Sequence, residues 1–240
     1  MRNHKTAIIT GASSGIGLGL TTALIEQGYR VAANSRQITT AGTLEPSDTL
    51  ALIDGDIANP DVARRIVDTA VERFGGIDVL VNNAGIFIPK PFTDYTTDDF
   101  ERLVSTNLTG FFHVTQHAVR QMQRQGVGHV VNITTTLADQ PIAGVPASIP
   151  VLTKGGLNAV TAALAIEYAG AGIRFNAIGA GIIDTPMHKP ETHGFLRTLH
   201  PIQRIGRVSE IVDAVLYLTE ATFVTGEVLH VDGGAHAGKW

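Results

Sequence analysis

Thr10-Gly11-Ala12-Ser13-Ser14-Gly15-Ile16-Gly17 follows the apolar run Ala7-Ile8-Ile9 and opens a stretch in which Ile16, Leu20, Leu24 and Ile25 share one helical face. A short strand that turns through glycines into a helix leaves the first N–H groups of that helix without partners, and such a terminus attracts a pyrophosphate. One glycine lets the chain turn, one lets the backbone approach the ligand, and one lets helix and strand pack closely. The order is G-x-x-x-G-x-G, not the G-x-G-x-x-G of the general dinucleotide fingerprint. Gly11, Ser14, Gly15, Ile16 and Gly17 are the candidate contacts.

Working outward, strand-like and helix-like runs alternate along the whole chain. The expected strands are 6–10, 30–34, 50–54, 77–81, 128–132, 173–178 and 228–231, with helices over 15–27, 61–74, 98–125 and 149–168. The segment 37–47 has no helical period and contains Gly42 and Pro46, so the second crossover is expected to be a loop. Ser209 is the expected cap of a last helix reaching Leu218. A chain of 240 residues with 44% hydrophobic composition suits a single α/β domain spanning 1–240.

Composition also excludes. A net charge of -4 without a basic run gives no reason to expect nucleic acid. With no cysteine there is no disulfide, thiol nucleophile or cysteine-bound metal, and no metal site is expected. The first residues pass straight into a strand-like run and no transmembrane stretch is expected, so the expectation is a cytoplasmic protein without membrane attachment.

At the end of the second strand stand Ser35 and Arg36, where an adenosine ribose would lie. A carboxylate there would bind a ribose 2′-hydroxyl, whereas an arginine pairs with a 2′-phosphate. Serine and arginine favour NADP(H) over NAD(H). Asp56-Ile57 follow the third strand and can meet an adenine ring, and Asn83-Ala84-Gly85 follow the fourth, where a small backbone can lie against a flat ligand. Asn107 is an amide within an otherwise apolar helix, expected to bend it. Thr134-Thr135-Thr136 end the fifth strand, and Lys154 lies among apolar residues on the next helix, where it is either snorkelling or buried against a cofactor.

Together, Thr10-Gly11-x-x-x-Gly15-Ile16-Gly17, Asp56-Ile57, Asn82-Asn83-Ala84-Gly85, Asn107, Lys154 and Val231-Asp232-Gly233-Gly234 resemble a classical short-chain dehydrogenase/reductase over essentially the whole length. The resemblance implies an α/β fold, a single doubly wound, Rossmann-type domain of about seven parallel strands flanked by helices on both faces, with a nicotinamide dinucleotide cofactor, a small-molecule substrate, and a homotetramer or homodimer built through the long fourth and fifth helices. It implies catalytic roles for Asn107, Thr135 (in place of a serine) and Lys154. Ile183 and Thr185 match positions that contact the nicotinamide amide, and 186–207 matches a substrate lid.

The family's Tyr-x-x-x-Lys is broken, because Pro150 stands four residues before Lys154. That tyrosine supplies the proton that a reduced carbonyl needs, and losing a positioned acid costs about 10²–10⁴ in rate. Two readings follow. The chain is either an oxidoreductase with a non-standard donor, acting on a carbonyl, alcohol or imine, or a catalytically impaired cofactor-binding partner subunit. Lys154 through a water, Asp139 and the histidines His188, His193 and His200 are the substitutes the sequence offers, although each histidine reads first as a solvated loop residue.

Overall fold

Alternation within β1 (Thr6–Thr10) decides where the helices go. Ala7 and Ile9 point to one face of the sheet and Ile8 to the other, all with no exposure. The computed structural model describes residues 4–238. The other strands are β2 (Arg30–Ser35), β3 (Leu50–Asp54), β4 (Val79–Asn82), β5 (Gly128–Thr135), β6 (Ile173–Ala180) and β7 (Val228–Val231). They pair in the order β3-β2-β1-β4-β5-β6-β7, and every pairing is parallel.

Parallel neighbours require crossover connections, and here these supply two helical layers. Helices α1 (Gly15–Glu26) and α7 (Val208–Glu220) cover the Ile9 face through Leu20, Leu24, Ile211, Val215 and Leu218. Helices α2 (Pro60–Phe74), α4 (Gly110–Gln125) and α5 (Ser148–Tyr168) cover the Ile8 face, with Ile66, Phe74, Val114, Met122 and Ala165 in its core. Each large apolar side chain buried this way contributes roughly 1.5–3 kcal/mol. The result is a single Rossmann-like α/β domain. Winding reverses between β1 and β4, which opens a crevice at the carboxyl ends of those strands.

The segment between β2 and β3 contains turns and no helix, as its Gly42 and Pro46 predict. Strands β5 and β6 run to Thr135 and Ala180, beyond the expected ends at 132 and 178, and three other differences from the sequence reading have a local cause. The stretch expected as one helix over 98–125 is α3 (Thr97–Val104), a π-helical turn (Ser105–Thr109) and α4. The wide turn carries Asn107, whose hydrogen bonds leave the helix for a neighbouring loop. Strand β4 begins at Val79 because Asp78 uses its carboxylate to accept from the Thr6 N–H at 2.7 Å. Ser209 is not a cap, since α7 begins at Val208, where the Glu210 carboxylate accepts from the Arg207 N–H at 2.7 Å. Short helix α6 (His193–Leu196) lies between β6 and α7.

Candidate active site

The turn after β1 is fixed by contacts that leave no room for a larger residue. Gly11 and Gly15 adopt φ of +67° and +51°, in the left-handed region. A Cβ on Gly17 would stand 2.2 Å from the Gly11 oxygen and 2.6 Å from Asn83 Nδ2. Gly17 is therefore the close-packing glycine and does not line the crevice, whereas Gly11, Ser14, Gly15 and Ile16 do. The Asn83 side chain donates to the carbonyls of Thr10 (2.9 Å) and Gly11 (3.2 Å), while Thr10 Oγ1 accepts from the N–H groups of Asn83 and Ala84. The ends of β1 and β4 are thereby stitched together. No acidic residue lies in the first turn of α1 and no side chain caps it, so its partial positive end faces the cleft uncompensated.

At the end of β2, Ser35 is buried and its hydroxyl has no hydrogen-bond partner among the described residues. Arg36 next to it is exposed and makes no ion pair among them, and both residues line the cleft. Asp56 also lines it, while its Oδ1 accepts from the Ala58 N–H at 2.9 Å in an Asx turn. An orphaned hydroxyl, an arginine without a carboxylate and an open helix terminus form a donor set that fits a phosphorylated dinucleotide.

The opposite end holds Lys154, Thr135 and, behind them, Asn107. Lys154 is not snorkelling. Its Nζ lies in the interior and donates to the Ile133 carbonyl at 2.7 Å, and burial pulls its pKa down from 10.5 to about 8. A Cβ on Gly85 would sit 2.9 Å from Nζ and 3.2 Å from Asn107 Oδ1, so Gly85 makes room for the lysine head. Asn107 does not line the cleft. Its Oδ1 accepts from the Ile86 N–H (2.9 Å), and its Nδ2 donates to the Ile86 carbonyl (3.1 Å) and to Thr153 Oγ1 (3.0 Å). Thr135 lines the cleft, with Oγ1 accepting from the Leu137 N–H at 3.3 Å.

Pro150 is the third residue of α5, a position whose N–H has no intrahelical acceptor, so the ring is tolerated there. It is buried and does not line the cleft. No tyrosine replaces the missing one. Tyr29 is in the core, the Tyr95 hydroxyl donates to the Ile88 carbonyl at 2.6 Å, Tyr168 packs on Phe175, and Tyr217 is exposed. Asp139 is paired with His230 at 2.9 Å and does not line the cleft either.

The cleft encloses a volume of 1140 Å³. Its nicotinamide-side wall includes residues that sequence reasoning did not single out, among them Phe87, Leu137, Ile142, Val145 and Leu196. They come from the loop after β4, the stretch between β5 and α5, and α6, and share no motif spacing, so only the fold brings them together. Of the three histidines read as solvated, His200 is a correction. It is 3% exposed, and its Nε2 accepts from the Ile182 N–H at 3.0 Å. His188 is half-buried and faces the cleft, and His193 lies near Asp184 at 3.9 Å. Ile183 and Thr185 line the cleft as expected. Among the described residues no group of three or more His, Cys, Asp or Glu could hold a metal ion.

A parallel doubly wound sheet, a glycine turn at its switch point and a long cleft that ends on a buried lysine define a nicotinamide dinucleotide-dependent oxidoreductase. A family model described as enoyl-(acyl carrier protein) reductase matches residues 11–236. The chain is 37% identical to the protein of Streptomyces violaceoruber named as ketoacyl reductase 2 of the granaticin polyketide synthase, covering 96% of this chain and 95% of that one. Among solved structures, it is similar to 3-ketoacyl-(acyl-carrier-protein) reductase from Brucella melitensis complexed with NADH (TM-score 0.90, 30% identity, 97% of this chain and 98% of that one). It is also similar to ElxO with NADP bound (TM-score 0.90, 27% identity, 99% and 100% covered). The chain belongs to the classical short-chain dehydrogenase/reductase family, and it is an NAD(P)-dependent oxidoreductase.

Proposed function

We propose that the protein prefers NADPH and transfers hydride to or from a small carbonyl, alcohol or imine, with a proton donor other than tyrosine. The observation that carries this reading is the pair at the end of β2, where an unpartnered buried hydroxyl and an unpaired guanidinium stand with no carboxylate to receive a ribose 2′-hydroxyl. When bound, the cofactor supplies the hydride. The residues that would hold it run along the cleft: Gly11, Ser14, Gly15 and Ile16 at the pyrophosphate, Ser35 and Arg36 at the 2′-phosphate, and Asp56 and Ile57 at the adenine. Asn83, Ala84, Gly85, Lys154, Ile183 and Thr185 would hold the nicotinamide riboside, with Gly17 maintaining the turn.

In this reading Thr135 orients the reacting oxygen through its hydroxyl. Asn107 positions Lys154 by fixing Ile86 on one side and Thr153 on the other. Residues 186–207 act as the lid, and their Met187 and Phe195, both exposed and both at the cleft, would fold over an apolar substrate. Phe112 on α4 and Leu152 and Ile166 on α5 are exposed apolar groups on the two helices expected to join subunits, which favours a homodimer or homotetramer. Light scattering of the purified protein reads that directly.

The test of the activity is cofactor oxidation followed by absorbance over a panel of ketones, aldehydes and cyclic imines, with NADPH and NADH in parallel. Turnover with a kcat/KM at least tenfold higher for NADPH is expected. Binding of NADPH without turnover of any member would favour the cofactor-responsive partner subunit, and equal or better use of NADH would overturn the cofactor preference.

A further inference from the structure

We infer that Lys154 is itself the acid–base group of this site, delivering its proton to the substrate oxygen that a tyrosine would otherwise serve. The inference rests on the oxidoreductase reading above and adds the identity of the donor. Among the described residues lining the cleft, the titratable side chains are Arg36, Asp56, Lys154, His188 and His200. Arg36 and Asp56 lie at the far end, past the glycine turn. His200 already uses Nε2 to accept from the Ile182 N–H, and burial keeps it neutral. His188 is likewise held neutral, by burial first and by His193 second. Lys154 is the group at this end that carries a labile proton at neutral pH.

Its geometry suits the task. An ammonium has three N–H donors, and Lys154 Nζ spends one on Ile133 O at 2.7 Å. That carbonyl lies two residues before Thr135 on β5, and Lys154 and Thr135 both line the cleft, so the lysine head and the threonine hydroxyl share one end of the crevice. With Pro150 withdrawn into the core, no phenol stands between the lysine and that end. The groups facing the lysine are uncharged: Gly85 and Ile86 after β4, Asn107 in the π-turn, Ile133 and Thr135 on β5, and Thr153 beside it on α5. Across the cleft the lid presents His188 and the loop before α7 presents His200. Burial alone lowers the lysine pKa to about 8, where an acid is effective near neutral pH.

In the reductive direction the carbonyl carbon accepts the hydride that the reduced nicotinamide would supply when bound, so that a C–H bond forms on the substrate as one breaks on the cofactor and the electron pair of the C=O π bond moves to oxygen. That oxygen takes a proton from the Lys154 ammonium as the N–H bond breaks. The neutral amine then regains a proton from solvent. In the oxidative direction the amine accepts the alcohol proton.

The experiment compares wild type, Lys154→Met and Lys154→Arg on a cyclic ketone and on an N-methyl cyclic iminium of the same ring, which accepts hydride without needing a proton. Two readouts do not depend on turnover: NADPH affinity by fluorescence, and the titration of the lysine ammonium by NMR in the cofactor-free protein. The expected result is a ketone-to-iminium rate ratio about 10²-fold or more lower in both variants. Wild-type ketone reduction should hold constant below about pH 8 and fall above it, with the break matching the titrated lysine. Equal losses on both substrates, or a wild-type ketone rate independent of pH from 7 to about 9.5, would overturn the inference and leave the oxidoreductase reading intact. NADPH binding with turnover of neither substrate by wild type would overturn both.

Discussion

Asn107 reaches across from its π-turn to Thr153, donating to Oγ1 at 3.0 Å, and Thr153 passes the bond on to the Pro150 carbonyl at 3.1 Å. One amide therefore ties the loop after β4 to the helix segment that carries Lys154. Every polar atom of its side chain is used, and the residue is 2% exposed. Asn107→Ala would strand the N–H and carbonyl of Ile86, and each unsatisfied buried group costs about 1–3 kcal/mol. The expected loss is at least about 2 kcal/mol in denaturant unfolding, with a fall in kcat larger than any change in the Kd for NADPH. Thr153→Val removes both bonds of this hydroxyl and should cost about 1–3 kcal/mol.

Lys154 should also lower the stability of the cofactor-free protein at neutral pH. Its folded pKa of about 8 lies below the ordinary 10.5, so between these values the unfolded chain binds more protons and stability rises with pH. Below pH 8 the full cost of burying the charge applies, of the order of 3 kcal/mol. Lys154→Met should then be more stable than wild type at pH 7, and the gap should close above pH 10.5. Urea denaturation of both proteins at several pH values measures it, and an unchanged or opposite gap would contradict the buried-charge account.

His129 supplies a second pH dependence, on the acid side. It is 3% exposed and makes a 3.1 Å contact with Asn176 Nδ2, while burial first and Arg174 second push its pKa from 6.5 to about 3. The unfolded chain again binds the extra proton, so stability should fall as pH drops from 6.5 towards 3, by up to about 1.4 kcal/mol per pH unit from this group. Glu210, held at about 2 by Arg204, adds its loss only below 4.5. In His129→Gln the decline between pH 6.5 and 5 should flatten, as read by melting temperature against pH.

The glycine turn yields a sharper contrast. Gly17→Ala places a methyl 2.2 Å from a backbone oxygen, so β1 and α1 must separate, and both NADPH binding and folding should suffer severely. Gly28 has φ of +82° with nothing within 4 Å of its Cβ position. Gly28→Ala should therefore cost only about 1 kcal/mol of backbone strain and leave the NADPH Kd unchanged. Calorimetric unfolding and a binding titration distinguish the two.

How far the sequence disclosed all this depended on how local each signal is. The seven strands and the helices that cover them were legible because β-α alternation favours a parallel sheet between helical layers, and Gly11, Gly15 and Asn83 because a turn and a strand end carry their chemistry in adjacent residues; the strand order was not, since the alternation alone allows more than one. The break at Ser105–Thr109 was only half legible: an asparagine in an apolar helix announces a bend, but its partners Ile86 and Thr153 are 21 and 46 residues away. The apolar wall of the cleft was not legible, since Phe87, Ile142 and Leu196 meet only through tertiary packing. His200 misled because its partner, the Ile182 N–H, is a backbone group that no side-chain pattern marks.

The central claim is that this cleft binds a nicotinamide dinucleotide with its 2′-phosphate against Ser35 and Arg36. Isothermal titration of the purified protein with NADPH and with NADH, repeated on Arg36→Ala, addresses it most directly. Loss of a charge-assisted pair is worth about 1.5–3 kcal/mol, or roughly 10- to 150-fold in affinity. The account predicts that wild type binds NADPH at least tenfold more tightly than NADH, and that Arg36→Ala weakens NADPH by that range while leaving NADH within about twofold. Equal affinities in wild type, or an equal loss for both cofactors in the variant, would contradict it.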